Sequence, residues 1–228
     1  MRMGTAKRRV FCDFDGTVAQ RDVGELLFET FTEGDGYAPV RRWLRGEISS
    51  KECLEAQCAA AKVSQAALER FISEQRLDPY FSRFVRRCQA NNVPVTILSD
   101  GLDFYVERLL ARYGLGDVPF FANYVSFKDG KLRPTFPYRD SQCPYRNECG
   151  GCGNCKVSHI RRLRQQGEMV FYVGDGFSDR WAAQEADVVF AKGNLLHYCR
   201  EHRVHCIEYG HFGDVLEHFE SISTTLDG

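Results

Sequence analysis

The sequence predicts an α/β protein built on a doubly wound parallel sheet, with an all-helical domain inserted between its first two strands. Three observations predict it. Short, wholly apolar strand segments alternate with helical segments, as expected of strands covered on both faces. The stretch between the first two strands, residues 21–77, is helical in pattern and too long for a simple crossover. The strands end in polar clusters instead of ordinary turns, the place where open α/β sheets bind ligands.

The elements follow in order. Val10–Phe14 of "KRRVFCDFDGTVAQRD" is a short buried strand bounded by Gly16. "DVGELLFETF" and "SSKECLEAQCAAAKVSQAALERFISEQ" carry apolar residues at three- and four-residue spacings. Pro79 suits the first turn of the helix "PYFSRFVRRCQAN". "VPVTILSDG" is the second strand, followed by the helix "LDFYVERLLARYG" that Gly114 closes. "PFFANYVSFKDGKLRPTF" reads as two strands joined at Asp129-Gly130, a favourable hairpin turn. A helix from Lys156 to about Gln166 leads to a third strand in "EMVFYVGDGFSD". Then come a helix around "SDRWAAQEA", the strand "DVVFAK", a helix near Leu195–His202, the short strand "HCIEY" and a closing helix around Phe212–Phe219. The expected domains are a core of residues 1–20 and 78–228, a helical cap of 21–77, and a cysteine-rich loop at 141–156 within the core.

Composition is that of a globular domain, with 43% hydrophobic and 27% charged residues. Lys+Arg number 30 against 31 Asp+Glu, so no charge excess points to nucleic acid or membrane as partner. No apolar run approaches the roughly 20 residues of a membrane span, and no signal core follows the basic start. The expectation is a cytoplasmic protein whose oligomeric state the sequence leaves open.

Six residues at three strand ends concentrate charge: Asp13 and Asp15, Ser99 and Asp100, Asp175 and Asp179. Close carboxylates raise one another's pKa unless something positive joins them. A hard divalent cation with oxygen ligands, Mg²⁺, together with a phosphate, answers that requirement. Lys156, before a helix, adds a further positive charge. Taken singly, Asp179 beside Ser178 is equally an ordinary helix N-cap, and Lys156 an exposed surface residue.

The segment "DFDGT" resembles the signature of the haloacid dehalogenase superfamily of aspartate-nucleophile phosphatases. Ser99 in "LSDG", Lys156, and "GDGFSD" with Asp175 and Asp179 match its later motifs in order, and the helical insert lies where one branch carries its cap. The resemblance implies Asp13 as nucleophile and Asp15 as general acid and base. It implies Mg²⁺ held by Asp13, the Asp15 backbone carbonyl and Asp175, with Asp179 acting on the metal waters or on Lys156. Ser99, Asp100, Gly101, Lys156 and Gly16 would surround the phosphate, although many relatives have glycine where Asp100 stands. The core would be the Rossmann-like fold of that superfamily.

Within the superfamily the chain is similar to the phosphoserine phosphatase branch. It is more similar to the methionine-salvage phosphatases of 2-hydroxy-3-keto-5-methylthiopentenyl-1-phosphate, whose members carry a cysteine-rich stretch before the motif lysine. Phosphoserine phosphatases usually have Glu nine positions after the nucleophile, where this chain has Asp22. Asp22, Glu25, Arg41, Arg42 and Trp43 are candidate cap or hinge contacts to a small phosphorylated metabolite. Phosphoserine, phosphoethanolamine and phosphocholine are alternative substrates. Phosphotransfer and a non-catalytic regulatory role on the same scaffold are the competing functions.

Four of the ten cysteines crowd into "CPYRNECGGCGNC". Cys143, Cys149, Cys152 and Cys155 have spacing suited to structural Zn²⁺. An iron–sulfur cluster, free thiols and disulfides are the alternatives.

Overall fold

The computed structural model describes residues 7–128 and 130–227, with side chains as far as residue 222. Seven strands form one sheet in the order β4-β3-β2-β1-β5-β6-β7. β1 (Arg8–Cys12) is flanked by β2 (Val95–Leu102) and β5 (Met169–Gly174), both parallel to it, with Val10 opposite Val95 and Phe171. The order runs outward through β2 to β3 (Phe120–Lys128), then restarts on the other side of β1 with β5, β6 (Val188–Ala191) and β7 (Ile207–Glu208). The crevice at β1 and β5 is therefore the topological switch point. Only β4 (Lys131–Thr135) runs antiparallel, paired with β3. Asp129 of the expected hairpin turn lies outside the described residues.

The strand sequences explain the double winding. Val10 and Cys12 point to one face and Phe11 to the other, and all three are fully buried. On the first face Val10, Cys12, Ile97 and Phe171 pack against α5 (Phe81–Ala90), α6 (Asp103–Arg112) and α11 (Phe212–Asp227). On the second, Phe11, Leu98, Val170 and Tyr172 meet α8 (Lys156–Leu163), α9 (Arg180–Ala183) and α10 (Gly193–His202). Phe81, Phe84, Val85 and Cys88 of α5 fall on one helical stripe and are buried.

Between β1 and α5 lie four helices: α1 (Val23–Phe31), α2 (Ala38–Leu44), α3 (Ser50–Ala60) and α4 (Gln65–Glu74). Asp22 caps α1 by accepting the Glu25 N–H at 2.7 Å. Ser49 and Glu52 close a reciprocal capping box on α3. The run expected as continuous helix breaks at residues 61–64, where Ser64 starts α4 with its own cap. The one-turn helix α7 (Arg146–Cys149) sits inside the cysteine-rich loop.

Several boundaries differ from the sequence reading: α5 starts at Phe81 and not at Pro79, α8 stops at Leu163 short of Gln166, and β2 continues past Gly101 to Leu102. β1 ends at Cys12, and Phe14 belongs to a tight turn in which Gly16 takes φ 71°. The chain must leave the sheet there to present Asp13 and Asp15 at the crevice. The closing helix runs to Asp227, well past Phe219.

Candidate active site

The turn after β1 carries the two carboxylates. Asp13 donates its own N–H to the Val173 carbonyl at 2.9 Å, which pins the first residue beyond the strand. Its buried carboxylate accepts from Lys156 Nζ at 2.5 Å. Asp15 lies one turn on. The Val23 and Gly24 N–H groups, at the start of α1, donate to its Oδ1 at 3.0 and 3.2 Å. The Tyr105 hydroxyl donates to its Oδ2 at 2.7 Å, and the Ser99 hydroxyl to the same oxygen at 3.3 Å.

Two glycines are required by these approaches. Gly16 adopts a left-handed conformation, and a Cβ there would stand 2.4 Å from Asp175 Oδ2. A Cβ on Gly101 would lie 1.6 Å from the Tyr105 hydroxyl and 2.7 Å from Asp15 Oδ2. Ser99 is buried within β2, three residues before its end, and its Oγ also accepts the Gly101 N–H at 3.0 Å. Asp100 accepts the Asn154 N–H at 3.3 Å, while its backbone carbonyl accepts from Asn123 at 2.7 Å.

β5 delivers the remaining acids. Asp175 Oδ1 accepts from Thr17 Oγ1 at 2.7 Å. The buried Asp179 accepts four hydrogen bonds: from Lys156 Nζ and the Tyr172 hydroxyl at 2.6 Å each, and from the Gly176 and Asp175 N–H groups at 2.9 and 3.1 Å. Its oxygens are filled by protein donors, so it steers Lys156 and the β5 turn. Lys156 is itself buried, ruling out the surface reading, and its Nζ also reaches Ser178 Oγ at 3.1 Å.

Charge in this crevice is out of balance. Burial would pull the Lys156 ammonium down, but Asp13, Asp179 and Asp100 outweigh it and hold the pKa well above the ordinary value. One lysine cannot satisfy all the acids. Burial pushes Asp13 well up, reinforced by Asp179. Burial, with Asp22 next, pushes Asp15 to about 7 against the hydrogen bonds from Tyr105 and α1. Burial and Asp179 push Asp175 to about 6. Oxygens of Asp13, Asp175 and Asp179 lie within 4.8 Å of one another, and with those of Asp179 already occupied, Asp13 and Asp175 are the acids suited to a hard divalent cation.

Above this floor opens a cleft of about 500 Å³, lined on one side by Asp13, Asp15, Asp100 and Asp175 and on the other by the inserted helices. Asp22, Glu25 and Trp43 line it as expected. Arg41 and Arg42 do not: they are exposed and pair with Asp35 and Glu47. Phe28, Tyr37, Val40, Leu44 and Leu54 give the cleft an apolar wall that the sequence reading did not name. Trp43 of α2 meets Phe177 beside the β5 turn edge-on, ring centroids 5.6 Å apart.

The cysteine run is not one site. Cys155 Sγ accepts from Ser158 Oγ at 3.2 Å, and Cys149 Sγ accepts from the Gly151 N–H at 3.4 Å. All four are free thiols, and Cys149 is the last residue of α7. Among the described residues, Asp13, Asp175 and Asp179 are the one group of three or more potential ligands whose donor atoms converge. Structural Zn²⁺ is therefore not supported: the cysteine sulfurs form no such group.

The chain belongs to the haloacid dehalogenase-like hydrolase family, which matches residues 10–184. Its enzyme class is phosphoric monoester hydrolase. Among curated relatives, a 2-hydroxy-3-keto-5-methylthiopentenyl-1-phosphate phosphatase of Brevibacillus brevis is 28% identical over 93% of this chain and 95% of its own. One of the same name from Bacillus pumilus is 31% identical over 93% and 91%. Solved structures of similar fold include a phospho-aspartyl intermediate analogue of phosphoserine phosphatase, at a TM-score of 0.66 and 16% identity, covering 93% of this chain and 98% of that one. The phosphoserine phosphatase of T. onnurineus has a TM-score of 0.68 at 17% identity, covering 95% and 96%.

Proposed function

We propose that the protein is a Mg²⁺-dependent phosphatase that hydrolyses 2-hydroxy-3-keto-5-methylthiopentenyl-1-phosphate through an aspartyl-phosphate on Asp13, a step of methionine salvage in the cytoplasm. One observation carries the chemical part. A buried aspartate held by a lysine faces the cleft, and beside it a second aspartate is fixed by Tyr105 and the start of α1, with burial pushing its carboxyl up to about 7. The first is placed to attack and the second to donate a proton.

Asp13 attacks phosphorus while Asp15 gives its proton to the departing oxygen, and Asp15 then takes a proton from the water that releases phosphate. The Tyr105 hydroxyl and the α1 N–H groups hold the Asp15 carboxyl in place through both steps. Lys156 and Ser99 bind phosphate oxygens, and the backbone at Gly16 approaches closely because no side chain intervenes. Asp13, Asp175 and the Asp15 carbonyl would hold Mg²⁺, which shields the repulsion between carboxylate and phosphate. Asp179 keeps Lys156 aimed.

The substrate assignment is supported by the named relatives and by the cleft wall. Phe28, Tyr37, Val40, Trp43, Leu44 and Leu54 suit an apolar thioether tail. The cytoplasm, which keeps thiols reduced, suits the ten free cysteines. The test is phosphate release from that substrate, phosphoserine, phosphoethanolamine and phosphocholine, with and without Mg²⁺. The thioether substrate should be preferred and turnover should need the metal; preference for an amine-bearing ester would overturn the assignment.

A further inference from the structure

The cysteine run takes no part in this chemistry, and its two thiol pairs differ in setting. Cys143 and Cys155 are buried with Val157, and burial pushes the Cys143 thiol to about 12. Cys149 and Cys152 are partly exposed on a turn shaped by Gly150 at φ 66° and Gly151 at φ 98°. Only Gly150 and Gly151 separate them in the chain, and the Gly151 N–H donates to Cys149 Sγ at 3.4 Å. We propose that Cys149 and Cys152 form a redox-active dithiol that exchanges with small-molecule disulfides and closes to an intramolecular disulfide.

Proton placement suits the exchange. The hydrogen bond from Cys152, helped by the backbone N–H groups of the turn, brings Cys149 down to about 6, whereas Cys152 is pushed up and keeps its proton. The Cys149 thiolate attacks one sulfur of a disulfide such as oxidised glutathione; that S–S bond breaks and the leaving thiolate takes a proton. Cys152 then loses its proton and attacks Cys149 Sγ, expelling the second small thiol. Two protein thiols are oxidised and one small disulfide is reduced to two thiols.

The site is joined to the active centre by a short, well-anchored stretch. The Gly153 N–H donates to Ser50 Oγ on α3 at 3.2 Å, and a Cβ at Gly153 would stand 2.9 Å from the Phe136 ring. The Asn154 N–H donates to Asp100, and its side-chain amide donates to the Ser99 carbonyl at 2.8 Å. Lys156 follows two residues on. Drawing Cys152 onto Cys149 pulls on a segment with no room to yield, so the oxidised protein turns over more slowly. This second consequence rests on the proposed phosphatase reaction; the thiol chemistry does not.

The test treats reduced, folded protein with oxidised glutathione, quenches with acid, alkylates the remaining thiols and maps them by mass spectrometry. The wild type should yield a Cys149–Cys152 disulfide peptide with the other cysteines alkylated. Cys152→Ser should stop at a glutathione adduct on Cys149, formed at a rate that levels off near neutral pH, whereas an ordinary thiol accelerates until about pH 8.5. Cys149→Ser should leave Cys152 alkylated. An alkylated Cys149 in treated wild type, or closure of Cys143 and Cys155 in its place, would overturn the dithiol. Phosphate release should fall several-fold on oxidation and return with dithiothreitol; unchanged release would overturn the link to the active centre.

Discussion

The floor of the cleft and its cap-side wall are built on opposite principles. On the floor, Asp13, Lys156 and Asp179 are buried, and each charged atom is held by a named partner from another element. On the wall, the side chains that face the cleft are mostly apolar, and the arginines of α2 turn away to exposed ion pairs. On the proposed function the contrast would separate chemistry from selection: strand ends would fix the reacting groups, and the inserted helices would choose what hangs from the phosphate. Damage to the floor should therefore abolish turnover with any ester, and damage to the wall should change the ranking of esters.

The largest effect should come from Asp13→Asn, which removes the nucleophile and should cut kcat by about 10⁴-fold or more in protein of unchanged circular dichroism. Lys156→Met comes next. It leaves the Asp13 and Asp179 carboxylates buried without their cation and should cost about 3–5 kcal/mol of stability in denaturant titration, besides activity. Tyr105→Phe removes one donor from Asp15 and should lower kcat about tenfold. Because that hydrogen bond lowers the Asp15 pKa, its loss should move the alkaline limb of the pH–rate profile upward. Trp43→Ala should raise KM about tenfold for the thioether substrate and leave that for glycerol 2-phosphate nearly unchanged, a difference seen in parallel kinetics. If both substrates suffer alike, the wall does not select.

The charge imbalance gives a pH signature. Asp15 and Asp175, raised to about 7 and about 6, bind protons in the folded state that ordinary carboxylates have released by about pH 4. The folded state then holds more protons than the unfolded one, so stability without Mg²⁺ should fall as pH rises from about 4 to 7. The gain in Tm on adding Mg²⁺ should grow across the same window, readable by thermal melts at several pH values.

Legibility in the sequence followed the same division. Asp13, Asp15 and Asp175 could be placed in the crevice because an apolar strand stops just before them, and strand ends have a fixed place in an α/β sheet; Ser99 and Asp179 followed from the order of the motifs. Lys156 could be placed by its order among the motifs. Tyr105 was hidden because its spacing with Leu102, Val106 and Leu109 reads as an ordinary buried helix face; its hydroxyl points out of that face toward Asp15. The wall residues were hidden for a related reason: helical periodicity shows that a face is covered but not by what. Cysteine spacing could not show that the four sulfurs do not converge as the acid oxygens do.

The central claim, that Asp13 is the nucleophile, is tested most directly by mixing enzyme, Mg²⁺ and substrate, quenching in acid within the first turnovers, and mapping phosphorylated peptides by mass spectrometry. Phosphate on Asp13 is the expected result. Phosphate on a different residue, or none on Asp13 while turnover proceeds, would contradict the account.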